Sequence, residues 1–175
     1  MKDTQVVIVM GSDSDLPIMK DAIEVMEKFD IGYEVLMLSA HRSPEATTRL
    51  AKEALDRGIK VIIAAAGGAA HLAGVIAAHT ILPVIGVPIK TSTLSGIDSL
   101  YSIVQMPPGV PVATVGINAA KNAGLLAVEI LAVENKDLQK KLVSNKKIQS
   151  DNVVSKSDKL QKIGYKEYLK VMEKK

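Results

Sequence analysis

The chain has 175 residues, of which 47% are hydrophobic and 23% charged, a composition that is ordinary for one folded domain and excludes gross disorder. The net charge of +3 combines +7 in residues 136–175 with −4 in residues 1–135, so the folded body lacks the basic surface that nucleic-acid binding needs. Cysteine is absent, which excludes disulfides and zinc–thiolate sites. Without a signal peptide or an apolar run of 18 residues, we expect a cytoplasmic protein with no membrane contact.

Five short, predominantly apolar runs predict buried β-strands of a parallel sheet that is covered on both faces. They begin about 22 to 29 residues apart, a spacing that suits right-handed βαβ units. The predicted strands are Gln5–Met10, Tyr33–Met37, Val61–Ala65, Pro83–Val87 and Val112–Val115.

Apolar residues recur at helical spacing in the segments that follow most of these strands. The predicted helices are Leu16–Phe29, Pro44–Arg57, Ala70–His79 and Asn118–Val133, with further helix such as Asp158–Lys174 in the tail. We therefore predict an α/β fold: a three-layer α/β/α sandwich around a flavodoxin-like parallel sheet of about five strands. Residues 1–135 would form this domain, and residues 136–175 a basic helical C-terminal extension that is not a separate domain.

Parallel sheets of this kind bind ligands at the carboxyl ends of their strands. The loops after the first four strands are GSDSD, SAHRSP, AGGAAH and the stretch from Lys90 to Asp98. They bring Ser, Asp, His, Arg and Gly together at the strand ends, so the search for a site narrows to them.

The first loop, Gly11 to Asp15, leads from a strand into a helix, where free backbone N–H groups and Ser hydroxyls favour an anion such as phosphate. Its two carboxylates suit sugar hydroxyls better than phosphate, so a phosphorylated sugar would use both features. The alternative is that Ser14 or Asp15 only caps the helix. The loop matches neither the ATP-binding nor the dinucleotide-binding glycine pattern.

The second loop contains His41 and Arg42, followed by Ser43 in the position of a helix N-cap before Pro44. Arg offers a planar fork for phosphate or carboxylate, and imidazole suits acid–base chemistry near neutral pH.

In the third loop, Gly67-Gly68 permits close backbone approach to a ligand, small Ala side chains leave room, and His71 is a second acid–base or orienting candidate. The alternative is tight helix–sheet packing. Three His without carboxylates at suitable spacing do not predict a metal site.

Four segments together, GSDSD, SAHRSP, AGGAAHLAG and TLSGIDSLYSIVQMPPGVPVATVGI, resemble the family of N5-carboxyaminoimidazole ribonucleotide mutases of purine (IMP) biosynthesis, over roughly residues 5–145. The resemblance implies an isomerase that converts N5-carboxyaminoimidazole ribonucleotide (N5-CAIR) to 4-carboxy-5-aminoimidazole ribonucleotide (CAIR) by decarboxylation and recarboxylation. It also implies a three-layer fold, no cofactor and no metal, and assembly as a homo-octamer.

The same resemblance assigns roles at matching positions. It implies that His41 is the general acid and base, that Arg42 binds phosphate, and that Ser12 and Asp15 hold the ribose phosphate. It implies that the loop with His71 encloses the migrating carboxyl group, and that Ser95 belongs to a loop closing the site at a subunit boundary. The predicted catalytic residues are His41 and His71, and the predicted substrate-binding residues are Gly11, Ser12, Asp13, Ser14, Asp15, Ser39, Ala40, Arg42, Ser43, Gly67, Gly68, Ala69, Ala70, Leu72 and Ser95.

Two other functions are left open by the sequence. A related branch of the family carboxylates aminoimidazole ribonucleotide (AIR) directly with CO2, but it typically has Lys after the His, where this chain has Arg42. A non-catalytic flavodoxin-like module would need aromatic residues around a flavin, and the chain has only five aromatics. The apolar, Pro-broken stretch Tyr101–Val112 suggests contact with another subunit. For the charged tail we expect a solvated surface, or else docking onto an acidic surface of a neighbouring subunit.

Overall fold

The computed structural model describes residues 3–173, which form two compact units. The first ends at Glu134 and the second begins at Asn135, and each is described by itself.

The first unit is built on a parallel sheet of five strands: β1 (Thr4–Met10), β2 (Gly32–Met37), β3 (Val61–Gly67), β4 (Val84–Ile89) and β5 (Ala113–Thr114). The strand order is β2-β1-β3-β4-β5, which is the flavodoxin-like order. β1, β3 and β4 are buried nearly throughout, as their continuous apolar runs predict. The predicted sheet is confirmed.

Helices cover both faces of this sheet. On one face, α2 (Pro44–Glu53), α3 (Leu72–Ala77) and Ile103 of α4 (Ile97–Val104) join Val7 and Val9 of β1 in one apolar cluster. On the other face, α1 (Leu16–Phe29) packs against α5 (Ala120–Ala132). The residues of β1 and β3 that lie away from the strand ends are buried beneath the helices. The three-layer α/β/α architecture is therefore confirmed.

The ends of two helices differ slightly from the sequence prediction: α3 is two residues shorter at each end than Ala70–His79, and α5 lies within Asn118–Val133. Two differences are larger. α2 ends at Glu53 rather than Arg57, because the chain turns through Gly58 at φ 82° and buries Ile59 completely. α4 was not predicted, because only eight residues form it and the apolar stretch from Tyr101 was interpreted as a Pro-broken loop. α4 matters for function because it follows β4 and packs against β4, β5 and β3.

The second unit is one long helical segment, α6 (Lys136–Glu173), with a break at Gly164 where φ is 74° and ψ is 158°. The predicted tail helix Asp158–Lys174 lies within it except for Lys174, which is outside the described residues. Ion pairs one turn apart, such as Lys147–Asp151 at 2.8 Å, run along its exposed surface. No helix among residues 3–173 combines the length and apolar character that a membrane span requires.

Candidate functional site

The carboxyl ends of β1, β2, β3 and β4 surround one cavity of about 480 Å³. It lies where a parallel sheet of this order is expected to bind its ligand, because the connections of β1 and β3 leave toward opposite sides of the sheet there. The lining residues are Gly11, Ser12, Ser14, Asp15, Ser39, Ala40, His41, Arg42, Ala66, Gly67, Ala69, His71, Leu72, Ile89, Lys90 and Thr91.

The loop after β1 forms a short 3-10 turn, Asp13–Asp15, that is closed by reciprocal capping bonds. The Ser12 hydroxyl accepts the Ser14 N–H at 3.4 Å, and the Asp15 carboxylate accepts the Ser12 N–H at 3.2 Å. The capping side chain of this turn is therefore Ser12, and the alternative that Ser14 or Asp15 caps the helix is wrong, because the Ser14 hydroxyl bonds to Ser12 and Asp15 instead. Asp15 makes no side-chain cap to α1 itself.

Asp15 is the acidic residue of the cavity wall, and it is 6% exposed. Burial raises the pKa of its carboxyl group above the ordinary value, while hydrogen bonds from Ser12 and Ser14 oppose that rise. Such a carboxylate gains from donors that a ligand brings, and the hydroxyls of a sugar are donors of that kind.

Arg42 connects the loop after β2 to the loop after β1, because its Nη2 donates to the Gly11 carbonyl at 3.0 Å. Its backbone N–H is held by the Ser39 hydroxyl at 3.2 Å. Ser43 occupies the N-cap position of α2, but its hydroxyl makes no cap bond. That hydroxyl instead accepts the Ser39 N–H at 2.9 Å and donates to the Ser39 carbonyl, so it closes the second loop.

His41 and His71 contact each other in the cavity wall, although they are 30 residues apart in the chain. His41 Nε2 lies 3.0 Å from His71 Nδ1, with the rings edge to face at 75°. One of these two nitrogens must carry the shared hydrogen. The pair can therefore hold a proton next to the cavity and fix the tautomer of each ring.

The third loop is held by α4. Gly68 takes the left-handed conformation at φ 68°, its N–H donates to the Ser99 hydroxyl at 2.9 Å, and its carbonyl lies 3.2 Å from the Ser102 hydroxyl. Gly67 and Ala69, on either side of it, line the cavity.

Most of the residues predicted from the sequence line the cavity, and five do not. Asp13 and Ser43 line a neighbouring cavity of about 340 Å³, which Gly11, Ser12, Ser39 and Arg42 also border. Ala70 is fully buried, Gly68 bonds away from the cavity to α4, and Ser95 is exposed near the end of the turn before α4 with φ 54°.

Lys90 and Thr91 line the cavity but were not among the predicted site residues, although they stand in the stretch after β4 that the strand-end rule marks. The Lys90 N–H is held by the Asn118 side chain at 2.8 Å, and the Thr91 hydroxyl lies 3.0 Å from both Asp98 carboxylate oxygens. Lys90 therefore adds a second side-chain cation to a wall that already has Arg42. Among residues 3–173, no three His, Asp or Glu side chains come together as a metal site.

Comparison with known proteins gives consistent results. Residues 5–152 match the family model described as AIR carboxylase. The N5-carboxyaminoimidazole ribonucleotide mutase of Thermotoga maritima is 59% identical over 162 residues, which are 93% of this chain and 95% of that protein. The phosphoribosylaminoimidazole carboxylase of Candida glabrata is 56% identical over 93% of this chain but only 28% of its own length. The crystal structure of Treponema denticola PurE superposes with a TM-score of 0.81 at 30% identity, covering 90% of this chain and 98% of that one.

Proposed function

Since the chain belongs to the AIR carboxylase family, we propose that it is an isomerase that converts N5-CAIR to CAIR in purine biosynthesis. The observation that carries this proposal is the single cavity in which Arg42, the His41–His71 pair and the Gly67–Ala69 wall meet. A ribonucleotide carries a phosphate, ribose hydroxyls and, in this substrate, a carboxylate. The cavity offers a cation, a buried carboxylate acceptor and a small-residue wall for these groups.

In this proposal Arg42 binds the phosphate, with Lys90 as a further cation nearby, and Asp15 accepts hydrogen bonds from ribose hydroxyls. The guanidinium keeps donors for the phosphate, because the contact with Gly11 uses one N–H of the five. Ser12, with Asp13 and Ser14 beside it, completes the ribose phosphate site.

His41 acts first as an acid and then as a base. Imidazolium His41 protonates N5 as the bond between N5 and the carboxyl carbon breaks, which gives AIR and CO2. C4 of the imidazole then forms a bond to the carbon of CO2, and neutral His41 takes the proton that leaves C4. The enzyme regains its starting protonation state, so no proton is consumed overall.

The contact with His71 gives His41 a definite orientation for these transfers. We assign the shared hydrogen to His41 Nε2, with His71 Nδ1 as the acceptor. This assignment leaves His41 Nδ1 to give the proton to N5 and to receive the proton from C4. With the opposite assignment, the lone pair of His41 Nε2 would already be occupied by a hydrogen bond.

The CO2 formed between these steps must stay beside C4. The wall of Gly67 and Ala69 suits this task, because it has no bulky side chain and belongs to a loop that α4 holds in place. A carboxylate or CO2 can meet the backbone of such a loop closely.

The test is an assay of the purified protein with N5-CAIR, without ATP or added bicarbonate, in which CAIR formation is measured. A second assay supplies AIR and bicarbonate. Faster CAIR formation from N5-CAIR supports the mutase, and formation from AIR and bicarbonate alone would identify a direct carboxylase. Absence of product in both assays would overturn the assignment to an enzyme of this pathway.

A flavodoxin-like binding module is not favoured, because none of the cavity-lining residues is Tyr or Phe. A flavin is typically held by stacking on such rings. A purified protein with the yellow colour of a bound flavin would restore this alternative.

We also propose a homo-oligomer, with the octamer resting on the family resemblance. The supporting observation is the outer face of α4, where Ile97, Tyr101 and Val104 follow helical spacing and are each about half exposed. Light scattering coupled to size exclusion tests this, and a monomer would contradict it. The cytoplasmic location, and the extension 136–175 as part of the same domain, stay predictions.

A further inference from the structure

Ser99 of α4 is a buried polar residue outside the cavity wall, and the proposed mechanism does not use it. Its side chain is 0% exposed. Its hydroxyl donates to the Ile89 carbonyl at 2.6 Å and accepts the Gly68 N–H at 2.9 Å. One hydroxyl thus links the loop after β3 to the end of β4.

Ser102, one turn further along α4, approaches the other side of the same glycine. Its hydroxyl lies 2.7 Å from the Asp98 carbonyl and 3.2 Å from the Gly68 carbonyl. The Gly68 N–H is therefore held by a side chain of α4. The Gly68 C=O accepts the Ala70 N–H at 2.8 Å, and the Ser102 hydroxyl, whose hydrogen goes to the nearer Asp98 carbonyl, lies beside it. A Cβ at Gly68 would meet nothing within 4 Å, so the glycine is needed there for its φ of 68° and not for space.

Both segments that Ser99 joins, the loop after β3 and the end of β4, line the cavity. Gly67 and Ala69 flank the held glycine and line the cavity, and so does Ile89, whose carbonyl takes the other bond. The wall positions are thus fixed from behind, by a side chain that does not touch the cavity. If Ser99 were lost, the Ile89 carbonyl would be left without this partner in a buried place and the Gly68 N–H in a half-buried one, so the loop would have to shift before both groups were paired again.

We propose that Ser99 is a positioning residue that keeps the third loop closed around the migrating carboxyl group, with Ser102 in a supporting role. This inference rests on the proposed function, in which CO2 is free between the two steps. A loop that moves toward water opens the wall, and CO2 then leaves before C4 attacks it. The turnover ends with AIR in place of CAIR, the proton from His41 stays on N5, and His41 takes a new proton from solvent.

The experiment measures the ratio of AIR to CAIR formed from N5-CAIR labelled with carbon-13 in its carboxyl group, after subtraction of the reaction without enzyme. The variants are Ser99→Ala and Ser102→Ala. The control is Ser92→Ala, an exposed serine of the same β4–α4 connection. Thermal melting establishes that each variant is folded.

For Ser99→Ala we expect the AIR-to-CAIR ratio to rise about tenfold or more over the parent, because an unpaired buried group drives the loop to rearrange. Ser102→Ala should give a smaller rise, and Ser92→Ala none. A purely structural role would lower the melting temperature and the amount of active enzyme but leave this ratio unchanged.

A folded Ser99→Ala protein with the parent's ratio overturns the inference while the proposed function stands. If Ser99→Ala does not fold, Ser99→Cys decides, because a thiol of similar size is a weaker donor and acceptor at the same place: a raised ratio supports the inference, and an unchanged ratio overturns it. If the parent itself forms no CAIR from N5-CAIR, the proposed function fails, and this inference fails with it.

Discussion

Replacement of Arg42 by Ala should weaken nucleotide binding strongly and protein stability only slightly. The side chain lies at the meeting point of the first two loops, is exposed, and makes one protein hydrogen bond, to the Gly11 carbonyl at 3.0 Å. Most of its hydrogen-bonding capacity is therefore available to a ligand. We expect the KM for N5-CAIR to rise in Arg42→Ala.

The size of the effect follows from the contacts that are lost. A hydrogen bond to a charged group contributes about 1.5–3 kcal/mol, and each 1.4 kcal/mol is about tenfold in affinity, so KM should rise roughly 10- to 100-fold. Arg42→Lys keeps the charge but loses the fork, and its KM should lie between those of the parent and Arg42→Ala. The lost bond to Gly11 is exposed, so the melting temperature should fall by only about 2–4 °C.

The assay is steady-state CAIR formation over a range of N5-CAIR concentrations, with inorganic phosphate as a competitive ligand. Arg49→Ala is the matched control, because Arg49 is exposed on α2, the helix that follows the Arg42 loop, and does not line the cavity. An Arg42→Ala protein with the parent's KM and the parent's sensitivity to phosphate would refute the role of Arg42 as the phosphate residue. An equal rise in KM for Arg49→Ala would show a general charge effect instead.

Three further predictions test other parts of the molecule. His41→Asn should still bind CAIR, measured by calorimetry, but lose turnover, and retained turnover would contradict its acid–base role. Because burial raises the pKa of Asp15, the folded state binds that proton more tightly than the unfolded state, so the free energy of unfolding should fall as pH rises from the ordinary Asp value through the raised one. In urea unfolding, the Asp15→Asn variant should lack this pH dependence and should be at least as stable as the parent at pH 7, while its nucleotide binding weakens. If the variant kept the pH dependence of the parent, Asp15 would not be its cause. Gly124→Ala should lose about 1–3 kcal/mol of stability, because the new Cβ would lie 2.9 Å from Val25 Cβ, whereas Gly116→Ala, with its nearest neighbour at 3.7 Å, should melt like the parent.

The sheet and most of its helices could be predicted because their signals are local. An apolar run that ends in Gly marks a strand of a covered parallel sheet, and the boundaries of α1 agree with the prediction at both ends. The end of α2 could not be found in this way, since the turn at Gly58 depends on burial of Ile59 against the rest of the fold. β4 also runs to Ile89, two residues beyond the predicted end at Val87, and includes Pro88, which lacks the N–H that a central strand needs. Yet β5 pairs only with Ile85 and Gly86, so Pro88 lies beyond that pairing.

The candidate site divides in the same way. Loops that follow strands were found because the topology brings their ends together, and this brings His41 and His71 within hydrogen-bond distance. The partner of Arg42 is a backbone carbonyl, and no sequence pattern identifies one carbonyl among many. Lys90 was passed over because one Lys after a strand looks like ordinary surface, and its place in the cavity wall depends on how Asn118 holds its backbone.

The contacts of α4 show where sequence reasoning could go further. Ser99 and Ile103 stand four residues apart, so they share one face of the helix, and both are fully buried. A hydroxyl on a buried face needs a hydrogen-bond partner. The partners that Ser99 finds are free peptide groups where regular pairing stops, at Gly68 and Ile89. A serine on the apolar face of a short helix beside a glycine-rich loop therefore predicts that the helix holds the loop. This prediction can be made only after the helix itself has been identified.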